Sequence, residues 1–177
     1  MQFNKFIFQK ASNFPLSRFT GSIIVVCAKN EKIPFSNVQE MASLREIYFS
    51  YKSRKNFKDL NSGEYISIPF PENMLAKEII LFFTDVNVSK SKHLELGSKI
   101  SKLIALKNSV LVCDQKIASL DFLTGLILPS YKFDKYKSAG TQQNYECSFL
   151  YKNSRSITPL ISRVKAVCEG VFFTRDL

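Results

Sequence analysis

The sequence predicts an α/β fold in which a mixed β-sheet lies between two layers of helices. Short apolar runs rich in β-branched and aromatic residues alternate with longer stretches in which apolar residues recur every three or four positions. In chain order these segments follow the pattern β-β-α-β-β-α-β-α-β-α, which is typical of layered α/β domains. A compact chain of 177 residues hides roughly 70% of its unfolded surface. We therefore expect one three-layer domain.

The first half of the chain supplies two strands, one helix and a hairpin. Residues 3–8 and 22–27 are strand-like, and the second run is apolar on both faces, as central strands are. Residues 36–39 read SNVQ, a capping-box pattern that predicts the start of a helix. The polar and basic stretch 50–64 is predicted to be a long exposed loop. Residues 65–83 are expected to form a hairpin whose second strand is the more buried.

The second half alternates helix and strand. An amphipathic pattern over 96–104 predicts a helix, and the apolar run 109–113 predicts a buried strand. Asp114 is the expected N-cap of a helix that continues to residue 127 and is apolar on two faces. Residues 145–150 are strand-like, and the Thr-Pro pair at 158–159 predicts the start of a last helix.

Composition narrows the class of protein. The formal net charge is +10, and 19 of the 25 basic residues are lysine, a balance that favours a polyanionic partner such as nucleic acid. The same lysine excess is expected from an AT-rich genome, so both explanations stay open. The longest apolar run, 23–28, is too short to cross a bilayer, and no signal peptide is evident. We expect a cytoplasmic protein with no membrane partner and with its four cysteines reduced.

Motifs for catalysis are missing from this sequence. The six glycines lie at least 15 residues apart, which excludes a P-loop and a dinucleotide-binding fingerprint. His93 is the only histidine and is expected to be a satisfied structural imidazole, and the carboxylates lack metal-motif spacing. No catalytic residue, metal ligand or cofactor site is predicted in this chain.

Two motifs carry a resemblance to a known family. Residues 123–138 read LTGLILPSYKFDKYKS, and residues 170–177 read GVFFTRDL. Both are similar to sequences in the N-terminal domain of the cytosolic leucyl aminopeptidases. The matching residues are Gly125, Tyr131, Lys132, Phe133, Asp134, Lys135, Tyr136, Lys137, Arg175, Asp176 and Leu177. The chain departs from the family at Pro129, where a helix is expected to end or kink, and at Thr84-Asp85, where the family usually has a glycine turn.

The resemblance implies a fold and a parent activity. It implies that residues 1–177 form a single, non-catalytic N-terminal domain that is similar to a macro domain. It further implies a parent metal-dependent leucyl aminopeptidase that releases N-terminal amino acids from peptides and assembles as a hexamer. The two zinc or manganese ions and the catalytic residues would belong to a C-terminal domain beginning after Leu177, so this segment is expected to be inactive.

Two other functions stay open. The first is DNA binding, which the resemblance also allows, through Lys52, Arg54, Lys55 and Lys58 of the basic stretch, with Tyr51 and Phe57 beside them. The second is a macro-type binder of ADP-ribose, which rests on the fold alone and against which the scattered glycines argue. Within the tyrosine and lysine motif, we expect Tyr131, Phe133 and Tyr136 to be partly buried anchors and Asp134 to be hydrogen-bonded.

Overall fold

The computed structural model describes residues 5–28, 32–85, 87–104, 107–130 and 145–176. Its strands are β1 (Lys5–Lys10), β2 (Ser22–Ala28), β3 (Tyr65–Pro69), β4 (Glu78–Thr84), β5 (Ser109–Cys113) and β6 (Glu146–Tyr151). They form one sheet in the order β1-β6-β5-β2-β4-β3. Neighbouring strands are parallel except β3, which pairs with β4 in the antiparallel direction. The predicted mixed sheet is confirmed.

Helices lie on both faces of this sheet, as predicted. They are α1 (Ala42–Lys52), α2 (Lys55–Lys58), α3 (Lys90–Ile104), α4 (Leu120–Ile127) and α5 (Ser154–Asp176). Helices α3, α4 and α5 pack on one side, called here the helical face. The other side, the irregular face, is covered by α1, α2 and the turns within residues 11–19 and 33–41. In the described part of the chain, no helix has the length and apolar character that a membrane span requires.

The centre of the sheet is the predicted central strand, β2. All seven of its residues are buried. Ile24 and Val26 point to the core of the helical face, whereas Ile23, Val25 and Cys27 point to the core of the irregular face. Because both faces of the strand are covered, its apolar residues run without a polar alternation.

The predicted loop over residues 50–64 is wrong in its first half. Helix α1 continues to Lys52, and α2 adds one further turn. Phe57 of α2 is buried and packs edge-on against Tyr48 and Phe83, with ring centroids 5.6 and 4.6 Å apart. Phe57 therefore anchors the segment to the core of the irregular face, and Tyr51 and Leu60 pack partly buried against the same core.

The start of α1 also differs from the prediction. A short 3-10 turn, Gln39–Met41, precedes the helix, and no side chain caps either element. The carbonyl oxygen of Ser36 instead accepts a hydrogen bond from Arg45 Nη1. Ser36 therefore contributes a backbone contact to the helix and not the predicted cap.

Two further helix starts lie at other residues than predicted. The N-cap of α4 is Ser119, whose Oγ accepts from the N–H of Phe122 at 3.2 Å, so the predicted Asp114 cap is wrong. Helix α5 begins at Ser154 and contains Pro159 in its interior, where proline removes one helical hydrogen bond. At the other end of α4, the break expected at Pro129 is confirmed, because a 3-10 turn, Leu128–Ser130, replaces the helix.

Glu78 joins three strands at the amino-terminal edge of the parallel sheet. Its carboxylate accepts hydrogen bonds from Ser22 Oγ at 2.7 Å, from Ser67 Oγ at 3.0 Å and from Lys107 Nζ. Burial alone would raise the pKa of Glu78, but these hydrogen bonds outweigh it and hold the pKa below its ordinary value.

Candidate functional site

The topology of the sheet places a candidate site at the carboxyl ends of β2 and β5. These strands are parallel neighbours. The chain leaves β2 towards α1 on the irregular face, but it leaves β5 towards α4 on the helical face. Open α/β sheets bind ligands at such a point, where successive connections diverge to opposite faces.

A cleft of about 730 Å³ is present at this point of the fold. Its cationic groups come from three separate strand ends: Lys32 follows β2, Lys116 follows β5 and Lys152 follows β6. All three lysines are exposed. Asp114 is the only acid among the residues that line the cleft, so the lining carries a net charge of +2.

Asp114 forms a tight turn at the base of the cleft. Its Oδ1 accepts the N–H of Lys116 at 2.9 Å, and its carbonyl oxygen accepts the N–H groups of Ile117 and Ala118, both at 3.0 Å. These bonds fix the position of Asp114 within the lining of the cleft. They also explain why Asp114 does not cap α4, because an aspartate that closes its own turn competes with capping.

One wall of the cleft contains a backbone conformation that is rare for a large side chain. Phe35 has a φ of 58°, in the left-handed region, and its ring is buried in the core of the irregular face. Its carbonyl oxygen accepts the N–H of Val38 at 2.8 Å. Backbone in this region costs about 1–3 kcal/mol, and such strain concentrates at ligand sites. Ile33 and Phe35 border the cleft, but their side chains are buried in the core of the irregular face.

The basic residues predicted as nucleic-acid contacts are exposed around the junction of α1 and α2. They are Lys52, Arg54, Lys55 and Lys58. The aromatic residues beside them are engaged within the protein, because the Arg54 guanidinium lies 3.8 Å from the centre of the Tyr51 ring and Phe57 is buried. This segment therefore presents positive charge to solvent, but the buried Phe57 ring is not accessible for stacking with a base.

Gly125 lies where two helices of the helical face nearly touch. A Cβ atom at this position would come within 2.1 Å of the carbonyl oxygen of Leu94 in α3. Gly97 of α3 has the reciprocal relation to Phe122, with a distance of 2.2 Å to its carbonyl oxygen. The Gly125 singled out by the family motif therefore serves the packing of α3 against α4.

The cysteines and His93 are polar groups of the core. All four cysteines are buried thiols, and burial raises the pKa of Cys147 to about 12 and that of Cys168 to about 11. His93 Nδ1 lies 2.9 Å from Ser119 Oγ, while its buried Nε2 has no partner among the described residues. The prediction of a satisfied imidazole thus holds for one ring nitrogen only.

The described residues do not fit a metal site. Among them, no three His, Cys, Asp or Glu side chains come close enough together to hold an ion. A catalytic metal centre needs several such donors around the ion.

Comparison with known proteins gives a consistent result. No family model matches the chain. A probable cytosol aminopeptidase of Dinoroseobacter shibae is 30% identical over 124 residues, which cover 68% of this chain and 25% of that protein. The corresponding protein of Rickettsia bellii is 34% identical over 97 residues, which cover 51% of this chain and 18% of that protein.

The chain belongs to the cytosol aminopeptidase family. This agrees with the resemblance of its sequence to the N-terminal domain of those enzymes. Two of these matches cover about two thirds of this chain. The chain spans only about a quarter of the length of those cytosol aminopeptidases.

Two solved structures share the fold. A leucine aminopeptidase mutant from tomato superimposes with a TM-score of 0.58 and 15% identity, covering 94% of this chain and 36% of that one. A Trypanosoma brucei macrodomain in complex with ADP superimposes with a TM-score of 0.56 and 11% identity, covering 89% and 66% of the two chains. At these identities the likeness shows the fold, and it confirms the predicted macro-domain-like architecture.

The structure locates only some of the motif residues shared with the cytosol aminopeptidases. Arg175 is exposed in the last turn of α5, and Asp176 ends that helix. The stretch that contains Tyr131, Phe133, Asp134, Tyr136 and Lys137 lies outside the described residues. The predictions for those side chains therefore stay predictions.

The cleft was not found from the sequence. Lys32, Lys116 and Lys152 are far apart along the chain and resemble the many other lysines. Their one shared signal is position, since each follows a predicted strand; the structure shows that these strands are parallel, and the carboxyl ends of parallel strands lie at one edge of a sheet.

Proposed function

We propose that the chain is the N-terminal, non-catalytic domain of a cytoplasmic, metal-dependent leucyl aminopeptidase. The observation that carries this proposal is the match to cytosol aminopeptidases, which spans two thirds of this chain but only a quarter of theirs. Among the described residues, no three His, Cys, Asp or Glu side chains lie close enough together to hold a metal ion. Zinc or manganese and the peptide substrate would then be held by the remainder of the enzyme.

We assign to this domain a role in assembly, with its own catalytic domain and further copies in a hexamer as partners. Helix α5 buries one side on the sheet through Val164, Cys168 and Phe172. On its outer side, Val167 and Phe173 are 44% and 66% exposed. The two residues lie six positions apart on this helix, and exposed apolar side chains of this kind can be covered by a partner at a protein interface.

Activity measurements test the first part of the proposal. Purified residues 1–177 are expected to release no product from a leucine anilide, with or without added manganese or zinc. Hydrolysis that co-purifies with this chain and is lost after treatment with a chelator would contradict the assignment of catalysis to the rest of the enzyme.

Association measurements test the second part. The chain is mixed with a separately produced catalytic domain of the same enzyme, and complex formation is followed by analytical ultracentrifugation. Phe173→Asp is expected to weaken the complex. Phe70→Asp is the matched control, because Phe70 is 82% exposed on the β3–β4 connection, away from α5. Equal effects of the two substitutions would argue against an interface on α5.

A second candidate function is DNA binding through the exposed cations at the α1–α2 junction. If they contact phosphates, the logarithm of the affinity falls with the logarithm of salt concentration, with a slope of about 0.9 per contact. Reversing Lys52, Arg54, Lys55 and Lys58 to glutamate should abolish binding of duplex DNA in fluorescence anisotropy. Reversing Lys77, Lys90, Lys102 and Lys165, which are exposed elsewhere, controls for net charge. Equal losses in both variants would exclude a specific basic site.

A further inference from the structure

The two edges of the sheet differ in how they are protected. One edge strand, β1, begins at Lys5 and ends at Lys10. The other, β3, reads YISIP and contains no charged residue. Natural proteins usually place charges, above all lysine, on an edge strand, because its free backbone groups can pair with another chain. Apart from Pro69 at its end, β3 lacks such protection.

The free backbone groups of β3 follow from its pairing with β4. The carbonyl oxygen of Glu64 accepts the N–H of Phe83 at 2.8 Å. Inward and outward groups alternate along an antiparallel strand, so Tyr65, Ser67 and Pro69 direct theirs away from β4. Among the described residues, these outward groups have no backbone partner. Tyr65 and Ser67 each offer an N–H and a carbonyl oxygen, whereas Pro69 offers a carbonyl oxygen alone.

The edge also carries exposed aromatic rings. Tyr65 is exposed on β3, where its ring stacks on Phe82. Phe70, the next residue after β3, is exposed and has a left-handed backbone with a φ of 45°. A bulky residue rarely adopts this conformation. An added strand would therefore contact apolar side chains as well as free backbone groups.

The charge around β3 is opposite to that of the whole chain. Residues 59–76 contain three acids and no basic residue, although the chain has a net charge of +10. Glu64 lies directly before β3 and Glu72 lies in the turn after it, and both are exposed. Two nearby lysines, one in α3 and one before β5, are each paired with another glutamate. Lys77 adds one positive charge, so the edge is acidic overall.

This charge selects the partner. Nucleic acid is a polyanion and would be repelled. A second copy of β3 is also disfavoured, because parallel pairing would set Glu64 beside Glu64 of the copy, and antiparallel pairing would set it near Glu72 of the copy. A strand with cationic residues at its ends instead meets opposite charge at both ends of β3.

We propose that the edge of β3 binds an extended, basic segment of another protein, which adds to the sheet as a further strand. Its backbone pairs with Tyr65, Ser67 and Pro69, and its cationic ends lie near Glu64 and Glu72. This surface is separate from the outer side of α5 and from the cations of the α1–α2 junction. The proposal therefore does not depend on the assembly or DNA-binding roles.

Fluorescence anisotropy of residues 1–177 at low salt tests the charge preference, with the labelled peptides KVTVTVK and EVTVTVE as probes. Both favour an extended backbone, and they differ only at their ends. The basic peptide is expected to bind saturably and at least about fivefold more tightly than the acidic one, whereas the net charge of the chain alone would favour the acidic peptide. Absence of saturable binding, or equal binding of the two peptides, overturns the proposal.

Charge reversal locates the site. The double variant Glu64→Lys, Glu72→Lys is expected to weaken binding of the basic peptide by at least about fivefold, because two attractions become repulsions. Glu40→Lys, Glu169→Lys reverses two acids that are exposed elsewhere and controls for net charge. Equal losses in the two variants would overturn the assignment to β3.

Ser67 tests the backbone pairing. Ser67→Ala loses the side-chain hydrogen bond to Glu78 but keeps the N–H at the edge, whereas Ser67→Pro loses both. Only the proline variant should weaken the basic peptide, by roughly three- to tenfold, as expected for one lost hydrogen bond. Equal affinities of the two variants would exclude a strand added at this position.

Amide hydrogen exchange of the wild-type chain gives a readout that needs no variant. Binding of the basic peptide should slow exchange at Tyr65 and Ser67, whose N–H groups face outward. Exchange at Ile66 and Ile68 should change little, because their N–H groups already face β4. Slowed exchange confined to other parts of the chain would place the peptide on another surface and overturn the proposal.

Discussion

Three helices cover one face of the sheet, whereas the other face is covered by one long helix, one helical turn and irregular chain. On the helical face, two glycines let α3 and α4 approach to backbone contact. On the irregular face, Phe35 has a left-handed backbone and the connection from β2 forms a wall of the cleft. Regular, close packing holds the fold on one side, and on the other side less regular chain borders a cleft.

The largest expected effect compares one aromatic residue from each face. Phe122→Ala on α4 should lower the free energy of unfolding by about 3–5 kcal/mol, since it empties a fully buried site. Phe57→Ala should cost less, because the single turn of α2 can move to fill the space. Urea denaturation measures both. A larger loss of unfolding free energy for Phe57→Ala than for Phe122→Ala would contradict the view that the helical face is the more rigidly packed of the two.

The second effect tests the contact between α3 and α4. Gly125→Ala should destabilise the protein by about 2–3 kcal/mol, because the new methyl group meets the carbonyl oxygen of Leu94. Gly170→Ala is the matched control in α5, where a Cβ atom meets nothing within 4 Å. It should stabilise by about 0.5–1 kcal/mol through helix propensity. Thermal unfolding would show shifts of opposite sign, and shifts of equal sign would contradict the packing described.

The third effect lies on the irregular face. The Tyr48 hydroxyl is buried with no hydrogen-bond partner in the part of the chain that the structure describes. Tyr48→Phe should therefore stabilise the protein by about 1 kcal/mol. Tyr65→Phe, at an exposed ring, should change little.

The gain from Tyr48→Phe should grow at high pH. Burial, followed by the nearby Cys27, raises the pKa of Tyr48 from 10.0 to about 12. The unfolded chain therefore loses this proton first, and wild-type stability falls between about pH 10 and pH 12. Urea unfolding at pH 8 and pH 11 measures the difference between the two proteins. A gain that stays constant with pH would show that Tyr48 is not the group that titrates.

The smallest effect concerns Glu78, which is partly exposed at the amino-terminal edge of the sheet. Glu78→Gln should cost less than about 1 kcal/mol, as expected for exposed ion pairs. Because the folded-state pKa of Glu78 is lowered, its contribution is present above the ordinary glutamate pKa and disappears as the pH falls through the folded value. Urea titrations at pH 7 and pH 3 should therefore give different values for the difference in the free energy of unfolding between the two proteins. An equal difference at both pH values would contradict the hydrogen-bonded carboxylate.

The sheet was predictable from the sequence because its signals are local. The run at β2 is apolar on both sides, and the hairpin of β3 and β4 pairs neighbours in the chain. Helix starts were less predictable, since Asp114 and Ser119 are both good capping residues. The hydrogen bonds that Asp114 accepts from Lys116, Ile117 and Ala118 show that this aspartate is used in a turn.

The cleft could not be predicted, because it depends on strand order. The cleft is lined by Lys32, Lys116 and Lys152 only because β2, β5 and β6 are neighbours in the sheet. That strand order follows from long-range pairing. Helix α2 could not be predicted for the same reason. It is held in place by a long-range contact, because the Phe57 ring packs against Phe83 of β4.

The pairing of β1 with β6 has a consequence for biosynthesis. Lys5 of β1 lies opposite Glu146 of β6, so the ribosome must add about 140 residues before this partner exists, which takes roughly 7–28 s at typical rates of translation. During that time Ile7 and Phe8 belong to a strand without its neighbour. We expect β1 to pair with β6 last as the nascent chain folds. Until then, a chaperone that binds exposed apolar strands would bind β1.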